Sequence, residues 1–182
     1  MKYLMISCAL FMAAVVRAKN PEVNNMEYTA QVESFCKEYD IPVDYLDHPN
    51  SILTIYGDRM HVSDKDIDLL ERIVAAEARS EGVDAQEAVA TVILNRWQDG
   101  SFGESLRDVM TADGQFADPY DGEIQLDTHL AVKNALIYYN TYCMCIPAQV
   151  LYFRDSHYHT DIGKPYCSID NLYFSTRSDV VL

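Results

Sequence analysis

Residues 68–82 read DLLERIVAAEARSEG, and this stretch decides how the helical part of the fold is organised. Leu70, Ile73 and Val74 precede Glu77 at the spacing that places residues on one face of an α-helix. A carboxylate on an apolar face must lose its charge, pair with another polar group or lie in a cleft where it serves a function. Because burial favours the protonated form of a carboxyl group, Glu77 is a candidate general acid.

Two other interpretations of this helix stay open. Glu77 could lie at the edge of the apolar stripe and pair with Arg79 or with a basic residue elsewhere. Glu81 is a rival acid, because it lies one turn further on the same face. It stands beside Gly82, which is expected to end the helix, so Glu81 is better interpreted as an exposed supporting group.

The first eighteen residues are typical of a secretory signal peptide. Lys2 supplies a positive start, Leu4 to Val16 is almost continuously apolar, and Val16-Arg17-Ala18 fits a small-x-small cleavage site. The apolar run is short for a membrane span. We therefore expect cleavage after Ala18, a secreted or cell-envelope protein and no stable membrane insertion afterwards. An uncleaved anchor is the alternative, because Arg17 is unusual at such a site.

The charge of the chain limits its partners. The 182 residues include 14 basic and 28 acidic side chains, which gives a net charge of −14. Loss of residues 1–18 removes Lys2 and Arg17 and no acid, so 12 basic residues would face 28 acids. No cluster of lysine and arginine is visible, which argues against nucleic acid or an anionic membrane as the partner.

Four cysteines follow the expected cleavage site, namely Cys36, Cys143, Cys145 and Cys167. An even number in an exported chain predicts up to two disulfides. Cys143 and Cys145 are too close for an easy mutual bridge, so one of them is expected to pair with Cys167. A site with four thiolates around zinc is the alternative, although no Cys-x-x-Cys spacing supports it.

The remaining pattern predicts an α+β domain in which helices dominate and the β-sheet is small. Helices are expected near 26–39, from the Ser63–Asp66 capping box to Gly82, from Asp84 and Glu87 to Gly100, over 104–110 and over 130–142. Strands are expected over 149–153 and 172–174, and a hairpin turns at Gly57-Asp58 between 52–56 and 59–62. Residues 111–126 form a long surface loop, and such loops are often functional. We divide the mature chain into an extension, 19–62, and a catalytic domain, 63–182.

From about Leu69 to Tyr173 the chain resembles the spore-cortex-lytic and cell wall hydrolase family. Five segments carry the resemblance. They are AEAR (76–79) with Glu81, AVATVILNR (88–96), DVM (108–110), GQF (114–116) and AxxLYF (148–153). Each is weak alone, but their order and spacing together are specific. Two positions depart from the family pattern, with Ser80 in place of glycine and Ala117 in place of serine.

The resemblance implies a lysozyme-like fold and cleavage of peptidoglycan glycan strands, with no cofactor. In the family the glutamate of the AEAR motif is the catalytic acid, so this role falls on Glu77. Glycan cleavage usually needs two carboxyl groups at a set separation. A lytic transglycosylase needs only one, because the 6-hydroxyl of the sugar replaces water as the nucleophile. The single well-placed carboxylate favours that scheme.

Four further residues are candidates for substrate binding. Gln115 and Phe116 lie in the loop that resembles a cleft wall, where an amide could bind an N-acetyl group or hold Glu77, and a ring could stack on a sugar. Tyr152 lies on a predicted strand and could direct its hydroxyl into the cleft. Glu81 completes the set. For Gln115, Phe116 and Tyr152, ordinary packing is the competing explanation, and Asn95 and Arg96 are expected to brace the helix pair.

Two alternatives belong to other functional classes. His157, His159 and Asp161 would share a face on a strand and could hold a metal ion with His129, as in a metallohydrolase. The stretch is polar and resembles a loop, so we expect no metal site there. The second alternative is a wall-binding module without catalysis, but such a module has no need for an acid on its apolar face.

Overall fold

The computed structural model describes residues 51–53, 59–140, 146–159 and 161–179. Four helices stand between two short strands and a group of three strands, which confirms the mainly helical α+β class. In chain order the elements are β1 (Ser51–Leu53), β2 (Arg59–His61), α1 (Asp64–Ala78), α2 (Val83–Asp99), α3 (Leu106–Thr111), α4 (Leu126–Asn140), β3 (Val150–Asp155), β4 (Gly163–Ile169) and β5 (Leu172–Arg177). The predicted signal peptide and the predicted helix near 26–39 lie outside the described residues.

Strands β1 and β2 form the predicted hairpin at the end of the N-terminal extension. They pair antiparallel, with Ile52 opposite Met60, although the turn itself lies outside the described residues. Strand β1 lies against α4, and Val62, directly after β2, is buried in the core. This hairpin therefore packs on the helical part of the fold.

Helix α2 is the centre of the fold. Its thirteen residues from Ala85 to Trp97 are all buried, and the helix contacts α1, α3, α4 and β3. The sequence predicted one apolar stripe, whereas a helix enclosed on every side buries its polar residues as well. Gly100 ends the helix with φ of 76°, the left-handed conformation that favours glycine, as predicted. No helix within the described ranges is long and apolar enough to cross a membrane.

The junction between α1 and α2 differs from the prediction. Helix α1 ends at Ala78, and Gly82 is the residue directly before α2 instead of the end of α1. Its N–H donates to the Asp170 carboxylate over 2.9 Å, and a Cβ at Gly82 would lie only 3.0 Å from that oxygen. Close approach of the β4–β5 turn thus accounts for the glycine. Asp84 lies in the first turn of α2 and does not cap it.

The other helix starts follow simple capping chemistry. Ser63 caps α1 and Ser105 caps α3, because each hydroxyl accepts the N–H of an aspartate three residues later. The sequence predicted the cap at Ser63, and Ser105 falls near the start of the helix that was expected over 104–110. Helix α4 begins at Leu126, earlier than the predicted residue 130, since the carbonyl of Gln125 already accepts two helical N–H groups.

The second sheet has the order β3-β5-β4, and all pairs are antiparallel. The predicted strands correspond to β3 and β5, but β4 was missed. It carries Pro165, and four of its seven residues are exposed, so it shows little apolar alternation. Proline is tolerated in β4 because this strand lies at the edge of the sheet. Phe174 on the central strand is fully buried in the core.

The disulfide expected at Cys167 is not seen in the structure. Cys167 lies on β4 as a free, half-buried thiol, and burial raises the pKa of this thiol. The other three cysteines, Cys36, Cys143 and Cys145, lie outside the described residues.

Candidate active site

Glu77 lies in the last turn of α1, at the edge of the helix face that is buried in the core. Its side chain is half-buried, next to the fully buried Val74 and Ala78. Carboxylate oxygen Oε1 accepts the backbone N–H of Ala117 over 2.6 Å. Within the described residues the other oxygen, Oε2, has no hydrogen-bond partner. One oxygen is therefore held in place, and the other is available to a ligand.

The interpretation that paired Glu77 with Arg79 is wrong. The Arg79 guanidinium lies over the ring of Tyr120, with Cζ 4.8 Å from the ring centroid. Its Nη1 also donates to the carbonyl of Ala75 over 3.5 Å. Arg79 thus holds part of the long loop and does not pair with the Glu77 carboxylate.

The loop between α3 and α4 is fastened along α1. The Tyr120 N–H donates to the Arg72 carbonyl over 3.1 Å, and Arg72 Nη1 donates to the Tyr120 carbonyl over 2.9 Å. With the Ala117 contact to Glu77 and the Arg79 contact to the Tyr120 ring, the loop contacts two positions of α1 and the residue directly after the helix. This loop forms the wall beside the carboxylate, as the sequence suggested.

Arg96 links the loop wall to the sheet. Its side chain is 6% exposed, its Nε donates to the Leu151 carbonyl over 2.7 Å, and its Nη1 donates to Gln115 Oε1 over 3.0 Å. Burial lowers the pKa of Arg96 to about 10, although the charges of Tyr152 and Glu77 act in the opposite direction. The guanidinium of Arg96 therefore stays charged at a pH near neutrality.

Aromatic rings enclose the Arg96 guanidinium. Its Cζ lies 4.8 Å from the ring centroid of Phe116, 5.0 Å from that of Phe102 and 5.9 Å from that of Tyr152. Phe116 also stacks on Phe153, with the ring centroids 6.3 Å apart. Cations over aromatic faces are attracted to them, most strongly where water is excluded. The predicted residues Phe116, Tyr152 and Gln115 are thus brought together by one arginine.

The sequence suggested that Asn95 and Arg96 brace the helix pair, but in the structure they bond a strand instead. Asn95 Nδ2 donates to the carbonyls of Pro147 and Val150, each over 3.0 Å. Arg96 bonds Leu151 on the same strand. The two side chains therefore fasten α2 to the beginning of β3, which positions Tyr152.

Glu81 is directed away from Glu77. Its carboxylate accepts the backbone N–H and the side-chain Nδ2 of Asn171, at 3.2–3.3 Å. Asn171 lies in the turn between β4 and β5, next to the Asp170 that bonds Gly82. Glu81 thus helps to attach the sheet to the α1–α2 junction, which is the supporting role, and its contact with substrate stays a prediction.

The histidine motif occupies the irregular segment after β3. The His157 ring contacts the Arg154 guanidinium at 3.2 Å, and Nε2 of His159 lies 3.2 Å from the Phe153 carbonyl. His159 Nδ1 is 3.9 Å from Asp161, and His129 bonds Glu71 at a separate place on α1. Among the described residues no group of three or more such side chains is arranged to hold a metal ion.

The sequence did not identify three parts of the site. They are the Ala117 N–H, the ring of Phe102 and the central role of Arg96. A backbone donor has no signature in the residue type, and Phe102 follows a helix end, where periodicity carries no information. An arginine within the apolar stripe of α2 was the one available signal, because a buried guanidinium requires several acceptors.

A family model described as Cell Wall Hydrolase matches residues 80–174, just over half of the chain. The match includes Glu81, Gln115, Phe116 and Tyr152 and begins three residues after Glu77. A search of curated proteins finds no match.

Among solved structures, the chain is similar to the catalytic domain of the SleB protein of Bacillus cereus, with a TM-score of 0.52 and 24% identity. The similarity covers 63% of this chain and 91% of that domain. At this sequence identity the similarity shows a shared fold. The coverage of 91% shows that nearly the whole of that domain has a structural counterpart in this chain.

Proposed function

Because this chain belongs to the cell wall hydrolase family, we propose that it is an exported enzyme that cleaves the glycan strands of peptidoglycan, with Glu77 as its acid. The observation that carries the role of Glu77 is its asymmetric carboxylate. Oε1 is fixed by the Ala117 N–H, while Oε2 has no partner among the described residues and lies beside the loop wall. A general acid must reach the leaving oxygen of its substrate, and Oε2 is free to do so.

We propose further that the enzyme is a lytic transglycosylase. Protonated Oε2 gives its proton to the glycosidic oxygen as the bond from the anomeric carbon to that oxygen breaks. The 6-hydroxyl oxygen of the same sugar then bonds the anomeric carbon, and its proton passes to the Glu77 carboxylate. The products are a free sugar hydroxyl and a 1,6-anhydro ring, no water is consumed, and Glu77 is protonated again.

A fixed carboxylate suits this sequence of proton transfers. The same oxygen must give a proton to one atom and take a proton from another within a single catalytic cycle. The bond from Ala117 to Oε1 restricts rotation of the carboxylate, so Oε2 keeps its direction through both steps. Hydrolysis with a second carboxylate is the runner-up mechanism, and it would leave reducing ends on the products.

The competing class is a wall-binding module without catalysis. Purified protein that begins at Lys19 should release soluble glycan from isolated peptidoglycan, and release should continue in the presence of a chelator. Protein that sediments with the peptidoglycan but releases no glycan would support the binding module. Release that stops with the chelator and returns with zinc would support the metallohydrolase.

Export is proposed from the N-terminal sequence. Secreted protein should begin at Lys19, because Val16-Arg17-Ala18 supplies the cleavage site. N-terminal sequencing of protein from the culture medium or the cell envelope is the measurement. Full-length chain recovered in the membrane fraction would show instead that the apolar segment is an anchor.

A further inference from the structure

The side-chain amide of Gln115 has a fixed direction in the site. Its backbone N–H bonds the Ala112 carbonyl over 3.2 Å, which holds the turn, and its Oε1 accepts from Arg96 Nη1 over 3.0 Å. An arginine side chain has only donors, so the atom that faces Arg96 must be the amide oxygen and cannot be the nitrogen. The amide Nε2 is therefore directed away from Arg96.

This Nε2 group is open to a ligand. Gln115 is exposed, and within the described residues its Nε2 has no hydrogen-bond partner. Gln115 stands two residues before Ala117, whose N–H bonds the catalytic carboxylate. The loop thus presents the amide nitrogen of Gln115 as a donor near Glu77. The buried Arg96 fixes this orientation, because it holds the amide oxygen.

We propose that Arg96 is a positioning residue that holds Gln115 as a hydrogen-bond donor, and that this donor selects glycan sugars that carry an N-acetyl group. The proposal rests on the proposed glycan-cleaving function. The carbonyl oxygen of an N-acetyl group only accepts hydrogen bonds, which matches Nε2. A de-N-acetylated sugar has an ammonium group at the same place, and that group only donates.

Arg96 suits this role because it cannot turn away or lose its charge easily. The side chain is buried, it is held at Nε by the Leu151 carbonyl, and Phe116 and Phe102 lie on its faces. Holding one partner in a fixed orientation reduces the cost of ordering it when the ligand binds. The Leu151 carbonyl on the sheet therefore holds Arg96, and Arg96 in turn holds the Gln115 amide that makes the selection.

The test compares three substrates: native glycan strands, chemically de-N-acetylated strands and the same strands after re-N-acetylation. For wild-type protein, kcat/KM should be about tenfold higher on the native and the re-N-acetylated strands, the scale of one well-formed hydrogen bond. Equal kcat/KM on all three substrates would contradict the proposal.

Gln115→Glu should remove this preference. The new carboxylate keeps one oxygen on Arg96 but presents an acceptor to the cleft, where it opposes the acetyl carbonyl and attracts an ammonium group. The ratio of kcat/KM between native and de-N-acetylated strands should fall by about tenfold or more. Gln125→Glu adds the same charge in the same loop at an exposed position, and its ratio should match that of the wild type.

Arg96→Lys tests the positioning role. One ammonium group cannot hold both the Leu151 carbonyl and Gln115 Oε1, so the amide is free to rotate. The preference ratio should fall severalfold toward unity, whereas a loss of stability alone would lower kcat/KM on all substrates together. An unchanged ratio in a folded Arg96→Lys protein would overturn the role of Arg96.

The outcomes separate the two proposals. If the wild-type protein releases no glycan from any of the three substrates, the proposed function fails. If it releases glycan but Gln115→Glu leaves the preference ratio unchanged, the proposed function stands and the selectivity proposal fails. If Arg96→Lys does not fold, Gln115→Glu still decides whether the Gln115 amide selects the N-acetyl group, because its bond to Arg96 is retained.

Discussion

Glu77→Gln is expected to reduce glycan release by on the order of 100-fold or more, the usual scale of a general acid–base contribution. The glutamine has nearly the same shape, and its amide oxygen can still accept the Ala117 N–H that now bonds Oε1. Its other terminal group is an amide, which cannot deliver and recover the catalytic proton. The rate of soluble glycan release, measured at several peptidoglycan concentrations, gives the effect.

Glu81→Gln is the matched control for this variant. It makes the same chemical change one turn further along the chain, in a side chain that bonds Asn171 at the β4–β5 turn. It should retain most of the glycan release and should mainly lower the midpoint of thermal unfolding. If Glu77→Gln were as active as the wild type, the assignment of the acid and the mechanism built on it would both be wrong.

Removal of the N–H of residue 117 is expected to have the second-largest effect. This N–H bonds the Glu77 carboxylate over 2.6 Å, and a hydrogen bond to a charged group contributes about 1.5–3 kcal/mol. Ala117→Pro deletes the donor, so kcat/KM should fall by about 10- to 100-fold. Glycan release and thermal unfolding, measured on the same preparation, separate this effect from loss of the fold.

Two further changes at this position isolate the N–H from other effects of proline. Ala117→Ser keeps the N–H and adds the hydroxyl of the family pattern, so its activity should stay near that of the wild type. Replacing Ala117 by lactic acid changes only the amide to an ester, and it should reproduce most of the loss. Full activity of the ester protein would show that Ala117 does not help to hold the acid.

The helices were predictable because their signals are local. Residues with a period near 3.6, the capping box at Ser63 and Gly100 were sufficient to identify α1 and α2. The prediction at Gly82 was wrong because the feature that requires glycine there is Asp170, which lies 88 residues away in sequence. Strand β4 was missed because an edge strand with exposed residues and a proline carries little apolar alternation.

In the site, too, local signals were predictable and contacts between distant residues were not. Glu77 could be selected from its neighbours on α1, and Gln115, Phe116 and Tyr152 from the resemblance to the cell wall hydrolase family. The feature that brings them together could not be predicted, because Arg96 bonds Leu151 across 55 residues and Gln115 across 19. The Ala117 contact was also hidden, since its backbone N–H would be supplied by any residue except proline.

The departure from the family pattern at residue 117 now has a physical interpretation. The sequence suggested that Ala117, in place of serine, removes a hydroxyl from the cleft. In the structure the contact to Glu77 is made by the main chain of residue 117, and alanine preserves it. The difference from serine therefore leaves the support of Glu77 intact.

The masses of the glycan fragments released from purified peptidoglycan by the wild-type protein test the central claim most directly. If Glu77 acts alone and the 6-hydroxyl closes the ring, the fragments should end in 1,6-anhydro sugars, one water lighter than the products of hydrolysis. These fragments should be lost in Glu77→Gln. Fragments with reducing ends would contradict the ring-closing mechanism, and identical fragments at the same rate from Glu77→Gln would contradict the role of Glu77.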